Sequence, residues 1–278
     1  RVERHGDRFV FGEFSEEFER SGAYLPSDKG LHAGYTFGLL VATEAREIHA
    51  YLKSLAAWPD HWPCMSLSNH DVTRTVSRFG GAASGNPALA RLMLALLFAL
   101  RGTILLYQGE ELGLPEVDLS RDQLRDPVGD LYYPIAKGRD GCRTPMPWDA
   151  AQPNFGFSSG TPWLPLGPAH KALAVSAQEK DTASPLHFTR ALLKARKAHS
   201  ALRLGDLKLR DTSAPLLAFT RSQDDQTILC IFNLGRETAR FSETGNSHAR
   251  PLALNCGEAK VEGDSVTLGP LSAWFAIL

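Results

Sequence analysis

Three short apolar runs in this chain each finish on polar side chains, with helical patterns written between them. They are RFVFGE (8–13), WPCMSLSNHD (62–71) and TILLYQGEE (103–111). A strand buried on both faces of a parallel sheet reads as a continuous apolar run rather than an alternating one. Between the runs, Ala45, Ile48, Leu52 and Leu55 recur at helical spacing behind a Thr43 cap, with Pro59 as the stop. Asn86 and Pro87 are read as cap and first helical residue of ALARLMLALLFAL (88–100), which Gly102 closes. That helix has so little polar surface that it must be nearly buried. Alternating strand and helix is the signature of βαβ units and a parallel sheet. A further strand is expected within Leu31–Leu39, after the turn-rich SGAYLPSDKG.

The rhythm changes twice. Residues 113–168 are rich in Gly, Pro, Asp and aromatics with weak periodicity, and so long an irregular stretch in a compact protein is more often a functional loop than filler. A helix then runs from Ser184 and Pro185 to about Leu204, with Phe188, Leu192 and Leu193 on one side and Arg190, Lys194, Arg196 and Lys197 mostly elsewhere. After Gly205 come LLAFTRS, TILCIFNLG, ARPLAL and SAWFAIL, which read as antiparallel strands. The expected boundary lies there, with residues 1–204 in an α/β domain and 205–278 in a β-sandwich-like domain.

Composition removes several function classes. The 278 residues are 43% hydrophobic and 22% charged, with 30 basic against 31 acidic side chains and a net charge of -1. No sustained basic stripe offers itself to phosphates or anionic lipid, so neither nucleic acid nor a membrane surface is an expected partner. The apolar stretch Leu92–Leu100 lies between Arg91 and Arg101 and is too short to span a bilayer. The four cysteines show no C-x-x-C pairing, which argues against zinc and does not suggest a disulfide scaffold. No metal and no cofactor are expected, and a reduced, cytoplasmic setting is the preferred one. The chain begins without an initiator Met or signal peptide, which reads as a piece of something longer.

Strands that end on polar groups at one rim are the layout of a β/α barrel active site. Glu13 and Asp71 would then be a carboxylate pair, the equipment for glycoside hydrolysis. Phe9, Phe11 and Phe14 around Glu13 are expected to desolvate it and so favour a proton donor. His70 beside Asp71 is placed to hydrogen-bond a sugar hydroxyl. Simpler roles compete: a strand cap for Glu13, loop packing for Trp148 and Trp163, and ion pairs with Asp140 or Asp149 for Arg139 and Arg143.

The ordered set FGE (11–13), SNHDVTR (68–74), GTILLYQGEELGLP (102–115) and GRDGCRTPMPWD (138–149) resembles the α-amylase superfamily, in its α-glucosidase and oligo-1,6-glucosidase branch. The resemblance spans roughly residues 8–175. It implies the C-terminal half of a (β/α)8 TIM barrel, strands five to eight, followed by a small antiparallel β-domain. It implies Glu13 as general acid/base after the fifth strand, and His70 and Asp71 after the seventh, Asp71 being the transition-state stabiliser. Arg139 would be the arginine that contacts the sugar, with Arg143 a second candidate, while Glu110 and Glu111 are read as architectural. The substrate would be an oligosaccharide or small α-glucoside.

The family's nucleophile, an Asp after the fourth strand, has no match here and is expected upstream of Glu13. The chain alone is therefore expected to be inactive, because the nucleophile carries the glycosyl-enzyme intermediate of a retaining mechanism. An unclosed sheet would also leave edges open to self-association or to complementation by an N-terminal half. The alternative is a non-catalytic barrel relative that binds carbohydrate or another protein.

Overall fold

The computed structural model describes residues 4, 6–14, 24, 30–55, 62–80 and 85–278. Most of the turn-rich stretch before Gly30, and the helix stop expected at Pro59, lie outside the described residues. The chain divides into two compact units, one of residues 1–66, 96–105 and 196–278, the other of residues 67–95 and 106–195.

In the first unit the apolar runs become parallel strands. β1 (Phe11–Phe14) pairs with β2 (Ala33–Thr36), Glu13 lying opposite Tyr35. A parallel bridge from Gly34 to Pro63 joins β2 to the start of β3 (Cys64–Met65), and β3 pairs in parallel with β4 (Thr103–Ile104). Strands β1 to β4 therefore lie in chain order, as successive right-handed βα units require. β1 starts later than the sequence indicated and contains Glu13 instead of ending on it. β3 and β4 keep only two ladder residues each from longer apolar runs. Among the described residues β1 pairs with β2 alone, and β4 with β3 alone.

Helix α1 (Ala45–Leu55) buries Ala45, Ile48 and Leu52, the face written in its spacing. At its start, Thr43 donates from its backbone N and its hydroxyl to Glu47 Oε2, at 2.7 and 2.9 Å. In the second unit the chain forms α2 (Thr75–Gly80) and begins α3 (Pro87–Ala99). Asn86 Oδ1 accepts from Ala88 N at 2.9 Å, so Asn86 caps α3 as its sequence signals. Leu92 to Leu100 are all buried.

The turn from α3 into β4 depends on Gly102. Its φ is +116°, and a Cβ there would lie 2.2 Å from the carbonyl oxygen of Pro63, the same oxygen that accepts from Thr103 N. Two arginines far along the sequence close the end of α3. Arg196 donates from Nη1 to Phe98 O and Leu100 O at 2.6 and 2.9 Å, and from Nη2 to Gly102 O at 2.6 Å. Arg221, fully buried, donates from Nη1 to Ala99 O and from Nε and Nη2 to Gly205 O. The last carbonyls of a helix have no intrahelical donors, and cations are favourable at that end. Arg196 is thus turned onto main chain and is not the solvent-side residue its charge implied.

The segment read as one helix up to Leu204 is two, Pro185–Ala198 and Ser200–Leu204. Beyond Gly205 the strands are antiparallel: β5 (Asp206–Leu209), β6 (Leu216–Gln223) and β7 (Gln226–Asn233), followed by β8 (Ala239–Ser242) and β9 (Arg250–Pro251). β10 (Ala259–Glu262), β11 (Ser265–Leu268) and β12 (Ser272–Ile277) complete them. One sheet has the order β5-β6-β7-β12-β9, the other β10-β11-β8. Leu229, Ile231, Trp274 and Ala276 of the first sheet pack with Phe241, Val266 and Leu268 of the second in one apolar core.

Candidate active site

The side chains singled out after β3 and in the 138–149 loop come together in the second unit. The backbone N of Asp71 donates to Asn69 Oδ1 at 2.9 Å, an Asx turn that fixes the carboxylate at the loop apex. Arg139 and Arg143 flank the single 3-10 turn Asp140–Cys142, closed by Cys142 N to Arg139 O and Arg143 N to Asp140 O. Four residues apart across that turn, their guanidinium groups meet the same acceptor. Arg139 Nη1 donates to Asp71 Oδ1 at 3.1 Å and Arg143 Nη2 donates to it at 3.0 Å. Arg143 Nε donates to His70 O at 2.7 Å, and His70 Nε2 lies 3.6 Å from Asp71 Oδ1. The Asp71 side chain is 26% exposed and that of His70 58%, so the group is open to a ligand from the His70 side.

The ion pairs differ from those the sequence offered. Arg139 pairs with Asp126 and Asp71, not with Asp140 or Asp149. Asp140 Oδ2 is taken by the backbone N–H groups of Arg125 and Asp126, and Asp149 Oδ1 accepts from Ala151 N. Asp126 holds the other side of Arg139 through both oxygens, with Nε donating to Oδ2 at 2.8 Å and Nη2 to Oδ1 at 3.2 Å. The backbone N of Arg139 adds a third bond to Oδ2, at 2.9 Å. Asp126 also caps the helix α4 (Pro127–Tyr132), accepting from Val128 N. The Arg139 guanidinium holds the Asp126 carboxyl well below the usual carboxylate range, and Arg139 is raised in turn. Gly138 has φ +69°, and a Cβ there would lie 2.8 Å from Asp126 Oδ2, so the loop can press against the pair only with glycine at this position. No motif pointed to Asp126, although Asp followed by Pro at a helix start is a legible cap signal.

A buried polar layer supports this group. Arg74, 1% exposed, donates from Nη1 to Gln108 O at 2.9 Å and from Nη2 to Cys142 O at 2.7 Å, and stacks over the Tyr107 ring. Its backbone N donates to Glu116 Oε2 at 2.9 Å. Arg74 therefore ties the loop that carries Asp71 to the turn between Arg139 and Arg143. Glu110 accepts from the Thr75 hydroxyl at 2.7 Å and from Tyr107 N at 3.0 Å, and burial pushes its carboxyl up to about 7. Glu111 accepts from Gly109 N at 2.8 Å. Both glutamates serve the framework of this loop.

Glu13 belongs to the first unit. It is exposed on β1, and Phe9 and Phe11 are 58% and 48% exposed, so the aromatic shielding expected around it is not built by these residues. Trp148 and Trp163 are 52% and 66% exposed. Among the described residues no group of His, Cys, Asp and Glu is arranged to hold a metal ion, and no helix is long and apolar enough to cross a membrane.

The model of the alpha amylase catalytic domain matches residues 5–205, and the chain belongs to that family of glycoside hydrolases. It is 39% identical to a probable alpha-glucosidase of Rhizobium meliloti (strain 1021) over 276 residues, covering 96% of this chain and 49% of the relative. An oligo-1,6-glucosidase of Parageobacillus thermoglucosidasius is 32% identical over 203 residues, covering 65% of this chain and 35% of that enzyme. The crystal structure of the alpha-glucosyl transfer enzyme XgtA superposes with a TM-score of 0.93 at 40% identity, covering 99% of this chain and 52% of that one. The trehalulose synthase MutB of Pseudomonas mesoacidophila MX-45 gives 0.86 at 25% identity, covering 99% and 56%. The chain thus spans about half the length of the relatives it matches. Its four parallel strands are the C-terminal half of a (β/α)8 barrel, and the antiparallel sheets after them are the small β-domain.

Proposed function

We propose that this chain supplies the acid/base and stabilising half of a retaining α-glucosidase-type enzyme, acting on α-linked oligosaccharides or small α-glucosides. Residues 1–204 would be the C-terminal half of its catalytic barrel and 205–278 its C-terminal β-domain. The observation that carries the reading is the Asp71 carboxylate, gripped on Oδ1 by Arg139 and Arg143 beside an open His70. None of these bonds uses Oδ2, which leaves a charge-assisted acceptor for a sugar hydroxyl.

In this reading Glu13 protonates the glycosidic oxygen as an upstream Asp attacks the anomeric carbon. The C–O bond to the leaving group breaks, and a glycosyl ester forms on that Asp. Glu13, now a carboxylate, takes a proton from the incoming water or sugar hydroxyl, whose oxygen displaces the Asp and regenerates the enzyme. Asp71 and the arginines hold the ring hydroxyls while positive charge develops at the anomeric carbon. Among the described residues the outer edges of β1 and β4 carry no strand, which supports completion of the barrel by an N-terminal half.

The test is to assay the purified 278-residue chain on an aryl α-glucoside, alone and with the upstream barrel half supplied. Alone it is expected to give no turnover, and turnover abolished by Glu13→Gln in the isolated chain would overturn the need for an upstream nucleophile. With both halves present, Asp71→Asn is expected to lower kcat by about 10³ or more.

A further inference from the structure

We propose that Asp126 is a positioning residue for substrate recognition, holding Arg139 so that one face of its guanidinium serves Asp71 and the sugar instead of collapsing onto Asp71. The proposal rests on the reading of Asp71 and Arg139 as sugar-binding groups.

An arginine has five N–H donors in one plane. Among the described residues three are committed, Nε and one on Nη2 to Asp126 and one on Nη1 to Asp71. The bidentate side of the fork faces Asp126, leaving a single bond to Asp71 and two uncommitted N–H groups among the described contacts, one on Nη1 and one on Nη2. Were Asp126 uncharged, the geometry that best satisfies a guanidinium would be the same fork on the other available carboxylate, Asp71. That rearrangement would withdraw the donor from the sugar while leaving Asp71 charged, with a lone pair on Oδ2 still open to a hydroxyl.

Asp126 is built for this hold. Its side chain is fully buried while that of Arg139 is 41% exposed. Its backbone N is fixed by Asp140 Oδ2 at 2.7 Å, and Asp140 belongs to the same short turn that spaces Arg139 from Arg143. Its Oδ1 caps α4 through Val128 N. Gly138 leaves no room on the Oδ2 side. The anchor thus has one position, and it transmits that position to Arg139 through three bonds.

Asp126→Asn keeps the cap oxygen and the shape but removes the charge. In the enzyme carrying both barrel halves, this variant is expected to raise KM for an aryl α-glucoside about tenfold while kcat moves less than about threefold. A purely structural residue would lower the active fraction, and with it kcat, without moving KM. Arg139→Lys, which leaves Asp126 and its cap in place, is expected to raise KM similarly, since an ammonium cannot bridge the two carboxylates in this geometry. In the 278-residue chain itself, the Arg139 Nε–H NMR signal is expected to exchange slowly with water and to lose that protection in Asp126→Asn. An unchanged KM in Asp126→Asn, in an enzyme that Asp71→Asn inactivates, overturns the proposal, as does retained Nε–H protection. If Asp71→Asn keeps full turnover, the sugar-binding reading itself falls, and the proposal falls with it even where Nε–H protection is lost.

Discussion

Arg196→Met tests whether a residue from the end of the long helix holds the α3-to-β4 turn. The side chain is half-buried, and burial lowers its pKa only to about 10, so it remains a cation at neutral pH. Three carbonyl oxygens, of Phe98, Leu100 and Gly102, lose their donor in the variant. A buried hydrogen bond from a charged donor contributes about 1.5–3 kcal/mol. Because this site is only partly buried, water can reach some of the freed oxygens, and about 1 kcal/mol per bond is the appropriate scale. The helix-end charge adds about 0.5 kcal/mol. The methionine keeps most of the apolar stem, so little packing is lost. The expected loss is about 3.5 kcal/mol, which for a chain of this size lowers Tm by roughly 7–14 °C. Arg196→Lys should recover only the charge component, because one ammonium cannot serve three carbonyls in this geometry. Thermal unfolding followed by circular dichroism, with guanidinium titration as a second measure, reads both variants. A loss below about 1 kcal/mol in Arg196→Met, or a lysine variant as stable as the parent, would refute the idea that this residue closes the helix.

Two further outcomes follow from the same framework. The raised Glu110 carboxyl means that between pH 4.5 and about 7 the folded chain binds more protons here than the unfolded chain does. This residue therefore makes stability fall as pH rises through that window, by about 3 kcal/mol in all, and Glu110→Gln should gain that much relative to the parent between pH 4.5 and 8; a pH-independent difference in unfolding free energy would count against it. Gly102→Ala should cost about 3 kcal/mol or more, since it adds both left-handed strain and the clash with Pro63 O, whereas Gly245→Ala, at φ +98° with open space around it, should cost about 1 kcal/mol in the same denaturant titration.

The parts of this fold that were legible in the sequence are those fixed by local periodicity or by short-range chemistry. Ile48 and Leu52 mark their helix face because the 3.6-residue repeat is local, and Asn86-Pro87 mark a start because the cap is a two-residue device. The grouping of His70, Asp71, Arg139 and Arg143 followed from motif order. Strand lengths were not legible. WPCMSL and TILLY are largely apolar, but only Cys64–Met65 and Thr103–Ile104 find ladder partners, and pairing depends on the neighbouring strand. Arg196 and Asp126 were missed for a related reason. Gly102 is 94 residues from Arg196 and Arg139 is 13 from Asp126, both beyond the reach of local periodicity, and a charged residue beside a helix pattern gives no sign of turning inward.

Arg221 changes how the chain can be divided. The obvious cut, just before the antiparallel strands, would remove the guanidinium that fills the end of α3 and that also grips Gly205 O at the cut itself. The β-domain therefore supplies part of the closure of α3, and an engineered minimal barrel half that stops at Leu204 would need a new donor for the Ala99 carbonyl before it could hold that helix closed.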